Sequence, residues 1–171
     1  MLMRRVRAVA LLLLGVYCGG VVFWVLAPRV QDLPGPAFVR YWQALNLDYG
    51  ARMPVLVMAS LVLLVATSAL SVRRGRAVLV LSVVATVLLV GSIVVTVTQM
   101  EPLNRLADAW NPDSLPAGWT HTKDLWAQWQ FVRTALVVAA FGCLLASQTL
   151  PDAPVDDRSR DRADDGVLTG K

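Results

Sequence analysis

AVLVLSVVATVLLVGSIVVTV, residues 77–97, is the stretch on which the fold turns. It carries no charge, and valine is its most frequent residue. In water that composition favours a strand. A strand in lipid would leave backbone N–H and C=O groups without partners, whereas a helix satisfies them all internally. As a helix the run is about 30 Å long, enough to cross the hydrocarbon core of a bilayer. Ser82, Thr86, Ser92 and Thr96 fit this reading, since their hydroxyls can bond back to helix carbonyls or face a neighbouring helix.

Just before it stands Arg73-Arg74-Gly75-Arg76, a short basic turn. Before that, MPVLVMASLVLLVATSALSV (53–72) is a second apolar run, with small residues at Ala59, Ser60, Ala66, Thr67 and Ser68 that let membrane helices approach closely. A third, AVALLLLGVYCGGVVFWVLA (8–27), follows Arg4, Arg5 and Arg7. At 20 residues it exceeds a signal-peptide core of about 7–15, so it reads as an uncleaved span. Phe23 and Trp24 near its far end suit an interfacial aromatic belt. The last apolar run, Ala135–Leu150, reaches spanning length only with the aromatic turns before it, which gives a fourth span over about 125–150.

The whole chain agrees. It has 171 residues, 56% hydrophobic and 16% charged, with a mean hydropathy of +0.56. Soluble domains are less apolar and carry about 25% charge. The predicted fold is all-α: an integral membrane four-helix bundle, residues 1–150, with spans at about 8–27, 53–72, 77–97 and 125–150 and short amphipathic helices in the two outer loops. Residues 151–171 mix six acids with four bases and few apolar side chains, as a disordered tail does. The net charge of +4 therefore leaves +6 on residues 1–151, which reads as topology rather than nucleic-acid binding. The basic N-terminus and the Arg73–Arg76 turn put both termini in the cytoplasm. The Arg-rich, Lys-poor composition fits a GC-rich bacterial genome, and the expected location is the bacterial inner membrane.

The first outer loop, 28–52, has helix-starting chemistry at Pro36, then Phe38, Tyr41, Trp42 and Leu45 on one helical face. Such a helix either lies on the bilayer surface or closes over the bundle's outer end. The second loop lies within TVTQMEPLNRLADAWNPDSLPAGWTHTKDLWAQWQFVRT (96–134), where the polar chemistry concentrates. Leu103, Leu106, Ala107 and Trp110 predict a short helix, Asn111-Pro112-Asp113 and Pro116-Ala117-Gly118 are turns, and Asp124 can cap the next helix. Trp126, Trp129, Gln130 and Arg133 then share one face. Arg133 lies about two turns inside the fourth helix, where it either snorkels to the interface or turns inward to hold an anionic or phenolic group. Gln130 would add a neutral donor and acceptor, with Asn104 and Thr98 opposite. Glu101 is an alternative partner for Arg133.

Other chemistries find little support. Cys18 and Cys143 lie inside apolar runs, and no metal-ligand spacing occurs. The single histidine, His121, excludes bis-histidine haem within one chain and sits in a polar loop. No metal and no cofactor are expected. The expected surroundings are the lipid bilayer.

VTQMEPLNRLA after the third span and WAQWQFVRT opening the fourth resemble the anthrone oxygenase family of small four-span membrane proteins. Thr98, Pro102, Leu103, Asn104, Leu106, Ala107, Trp126, Arg133 and Thr134 fit its pattern, and Gly19, Gly20, Phe23 and Pro28 resemble its first span. The similarity covers roughly 8–148. It implies oxygenation of an activated phenolic carbon without metal or flavin. Gln130 departs from the pattern, standing where the family often has Asn or His, and glutamine cannot accept a proton. Two readings follow. The first is an oxygenase-like protein that binds an aromatic or quinone-like molecule at an outward-facing pocket, with Thr98, Asn104, Trp126, Gln130 and Arg133 as ligand-binding candidates. The second is a non-enzymatic accessory subunit or small carrier.

Overall fold

A computed structural model describes residues 2–72 and 74–150. The charged segment 151–171 lies outside the described residues. The chain forms α1 (Leu2–Leu26), a single 3-10 turn (Pro28–Val30), α2 (Gly35–Ser71), α3 (Arg76–Val95), a π-helical turn (Thr96–Met100), α4 (Glu101–Asp108) and α5 (Trp119–Thr149). Four helical stretches among the described residues are long and apolar enough to cross a membrane, with α3, the π turn and α4 forming one continuous rod, Arg76–Asp108. The protein is an all-α, multi-pass membrane bundle. Its helices form a ring in the order α1, α2, α3, α5.

The valine-rich run is helical throughout, and its hydroxyls bond back as helix chemistry demands. Ser82 donates to the Val78 carbonyl at 2.8 Å, Thr86 to Ser82 at 2.9 Å and Thr96 to Ser92 at 2.8 Å. Such bonds hide hydroxyls that lipid cannot solvate. The buried positions recur every three or four residues: Ala10, Leu14, Tyr17 and Val21 on α1, Leu64 and Thr67 on α2, Val78, Ser82, Ala85 and Leu89 on α3, Val137, Ala140 and Leu144 on α5. The small members of this seam let backbones approach. Large apolar side chains such as Leu12, Val62, Val87 and Phe131 point outward, as on a lipid-facing surface. At the end that holds the termini, Arg7 is buried and donates to the Ser147 carbonyl, tying α1 to α5. Between α2 and α3, Gly75 turns the chain at φ 135°, a conformation glycine tolerates.

The opposite end carries a cap that is part of the helices. The segment around Phe38–Leu45 is helical as its periodicity predicts, but it is no separate surface helix. It opens α2, which continues without a break through Pro54 and, at 37 residues, is about 55 Å long, nearly twice the hydrocarbon thickness. Pro36 sits in its first turn. Phe38 and Trp42 are 1% exposed, so this face closes over the bundle and does not rest on a bilayer. The helix expected around Leu103–Trp110 is likewise continuous with α3, and it ends at Asp108. Pro102 explains the junction: it has no N–H, and its ring crowds the carbonyl four residues back. The helix widens there, with Glu101 N–H bonding Thr96 O across five residues. At the other mouth, α5 starts at Trp119, so Asp124 lies inside it and caps nothing; Gly118 holds the cap position.

All six tryptophans gather in this cap. Trp24 does not join an interfacial belt. It turns inward and meets Trp126 edge-on at 4.9 Å, while its neighbour Phe23 is 62% exposed. Trp42 packs on Trp126 at 5.0 Å and on Trp110 at 6.0 Å. Hydrogen bonds fasten α2 to α4 and the following loop: Gln43 Nε2 donates to the Ala107 and Trp110 carbonyls at 2.9 Å, Asn46 Nδ2 to Asp108 Oδ1 at 2.9 Å, and Arg40 pairs with Asp113.

Candidate ligand-binding cavity

Below the cap the four helices part and enclose a cavity of about 440 Å³. That is an ordinary size for a small-molecule site. From α1 come Tyr17, Gly20, Val21 and Trp24; from α2 Tyr41, Tyr49, Met53 and Val57; from α3 to α4 Ile93, Thr96, Met100 and Asn104; from α5 Trp126, Gln130 and Arg133. All three tyrosines of the chain are on this wall.

Asn104 organises the upper wall. Its Oδ1 accepts from Trp42 Nε1 at 3.0 Å and from Trp126 Nε1 at 2.8 Å. Two indole N–H donors can converge only on an oxygen, so the amide orientation is unambiguous. The Asn104 NH₂ is left as a donor on a residue that lines the cavity. One turn of α5 below Trp126, Gln130 is 2% exposed and used at both ends. Its Nε2 donates to the Val21 carbonyl at 3.4 Å, and its Oε1 accepts from Arg133 Nη2. Thr134 steadies the same junction, donating to Gln130 O at 2.8 Å.

Arg133 turns into the bundle. Among the described residues no carboxylate pairs with it: Glu101 is engaged by Arg105 at 2.9 Å. The phenols of Tyr17 and Tyr49 line the same cavity as Arg133. Its Nε is buried without a hydrogen-bond partner, and so is the indole Nε1 of Trp24 on the same cavity. A buried donor left unbonded costs about 1–3 kcal/mol, more when charged. The wall thus presents donors, from Arg133, Trp24 and Asn104, between aromatic and methionine surfaces.

Four of the five residues singled out in the sequence, Asn104, Trp126, Gln130 and Arg133, meet here. Thr98 does not. It is exposed, donates to the Val94 carbonyl at 2.8 Å, and receives Gln99 Nε2 at 3.3 Å. Six residues separate it from Asn104, which places the two on different faces of the rod; Thr96 is the threonine on the cavity. His121 and Asp124 are exposed. Tyr17, Tyr41, Tyr49, Trp24 and Met53 escaped the sequence reading. The signal that could have found them is positional: under a four-span topology every Tyr and Trp falls in the same half of the bundle. No group of three or more His, Cys, Asp or Glu capable of holding a metal occurs among the described residues.

Fold and site together define a four-span integral membrane protein with a donor-lined, ligand-sized cavity beneath an aromatic cap. Residues 42–143, most of the bundle, match the family described as Anthrone oxygenase, and the chain belongs to that family. No curated protein and no solved structure matches it.

Proposed function

We propose that the cavity binds a small aromatic molecule of phenol or quinone type, its oxygen held by Arg133 and the Asn104 amide and its ring set between Trp24, Trp126 and the tyrosines. The observation that carries this reading is the pair of buried, unpartnered donors, Arg133 Nε and Trp24 Nε1, on one aromatic-walled cavity. A ligand oxygen would satisfy them once the side chains rotate to turn these donors into the cavity. The cap and cavity face away from the cytoplasm in a bacterial inner membrane, as the basic turn at one end of the bundle favours. Family membership points to oxygenation of an activated ring CH₂. One atom of dioxygen replaces the two hydrogens as a carbonyl, and the other leaves as water. Arg133 holds the phenolate so that its electron density reaches the carbon that meets dioxygen.

Titrating the reconstituted protein with 1,4-naphthoquinone and 1-naphthol, read by quenching of the cap tryptophans, tests the binding. Arg133→Leu removes a charged donor worth about 1.5–3 kcal/mol, so affinity should fall about 10- to 150-fold while membrane insertion is unchanged. Equal affinity in the variant would sink the assignment.

A second reading, a carrier or accessory subunit that binds without turnover, draws on Gln130. Both ends of its side chain are engaged, and glutamine accepts no proton. Oxygen uptake with anthrone separates the two: binding with no uptake above the uncatalysed rate favours the carrier.

A further inference from the structure

We propose that the cavity is loaded from within the bilayer, through a slot between α2 and the α3–α4 rod, so that its ligand is an apolar molecule dissolved in the membrane. The proposal rests on the ligand-binding reading above and specifies where that ligand comes from.

Two hydrogen bonds fix how these helices face each other. Ser68 Oγ meets Thr86 Oγ1 at 3.2 Å near the termini, and Asn46 donates to Asp108 at 2.9 Å in the cap. In both pairs the residue numbers total 154, so the antiparallel register is constant between them. That register sets Pro54 opposite Met100 and Met58 opposite Thr96. The proline of α2 therefore faces the π turn of the rod. Pro54 has no N–H, so the Gly50 carbonyl lacks its helical donor, and both residues line the cavity. Each helix thus has a local defect in its backbone hydrogen bonding, the free Gly50 carbonyl on α2 and the π turn on the rod, where it faces the other.

The wall is also breached at this level. Met58 and Val97 both line the cavity and are nevertheless 52% and 62% exposed, so the wall is not closed between them. A Cβ added at Gly50 would meet nothing within 4 Å. By contrast, Met53 covers the gap at Gly20, its Cε only 3.2 Å from where a Gly20 Cβ would lie. Toward the cap the seam is shut by the bonds from Gln43 and Asn46. The part of the slot between Met58 and Val97 falls inside the apolar runs 53–72 and 77–97, whereas the cap side is closed by polar bonds.

The test measures 1,4-naphthoquinone association and dissociation by stopped-flow tryptophan quenching in proteoliposomes. Gly50→Phe fills the slot from α2, where there is room, and Val97→Phe fills it from the rod in case the first variant fails to insert. Slowing of both rates by about tenfold, with the dissociation constant changed less than threefold, is expected of either plug. Asn46→Ala, which loosens the cap, should leave both rates unchanged. Unaltered rates in the plugs together with faster exchange in Asn46→Ala would overturn the proposal in favour of an aqueous route. A plug that raises only the dissociation rate would also overturn it, since that marks a weakened hold on bound ligand and not an obstructed passage. Absence of quenching in the unsubstituted protein would instead sink the ligand-binding reading itself.

Discussion

Asn104 shows how one amide can organise a wall. Trp42 arrives from α2 and Trp126 from α5, and both indole N–H groups end on the same oxygen. Asn104→Leu conserves size but orphans both donors, so the cap should lose about 2–4 kcal/mol. Thermal unfolding followed by near-UV circular dichroism reads that loss. The variant Trp42→Phe, which needs no acceptor, should show a smaller additional penalty in the Asn104→Leu background than in the unsubstituted chain; strict additivity would mean the hydrogen bond contributes nothing. Arg133 follows a different logic. Its position was visible in the sequence, but periodicity alone allowed an interfacial anchor as readily as an inward donor. Only the packing that buries its Nε and turns Nη2 onto Gln130 separates the two.

At the scale of elements, the helices end where their neighbours require. α2 begins at Gly35, against which Leu115 of the loop after α4 and Trp119 of α5 are packed. A Cβ at Gly35 would stand 2.8 Å from Leu115 Cδ1 and 2.9 Å from Trp119 Cζ2. Leucine can swing aside, but the ring is held by Phe38 and by Lys123, whose Nζ lies 5.9 Å from the Trp119 ring and 4.9 Å from the Phe38 ring. Gly35→Ala should therefore destabilise the cap by about 1–3 kcal/mol, the usual penalty of overpacking. Limited proteolysis of the 109–118 segment, faster in the variant, checks it. The continuity of α2 and of the α3–α4 rod was not legible in the sequence. Read there, the second span starts at Met53 and the helix around Leu103–Trp110 is separate from the third span, whereas proline inside a membrane helix is tolerated when a widened turn or a cavity absorbs its missing bond.

At the scale of the molecule, the topology rests on charge. With Cys18 and Cys143 replaced by alanine, Arg74→Cys should react with a membrane-impermeant maleimide only after permeabilisation, and His121→Cys should react in intact cells. Labelling of Arg74→Cys from outside would reverse the orientation and with it the side on which the cavity lies. The bundle and its termini-proximal half depend on small and apolar residues at helical spacing, which any neighbour of suitable shape can meet. The cap half depends on particular pairs: Trp42 and Trp126 on Asn104, Gln130 on Val21, Asn46 on Asp108.

That difference separates what the chain settles locally from what it settles by folding. Four helices, their approximate places and their membrane setting follow from hydropathy and from the need to bond every backbone group in lipid, both properties of contiguous residues. The match of Asn104, Trp126 and Arg133 to a family pattern likewise sits in two short stretches. The cavity does not. Tyr17, Tyr49, Met53 and Met100 come together from three helices, and no local period announces that they share a wall. Thr98 and Thr96 are two residues apart and look alike in the sequence, yet one faces out and the other lines the cavity. Only the tertiary structure decided these points, because a helix sets which residues share a face, while its rotation and register against its neighbours set what that face meets.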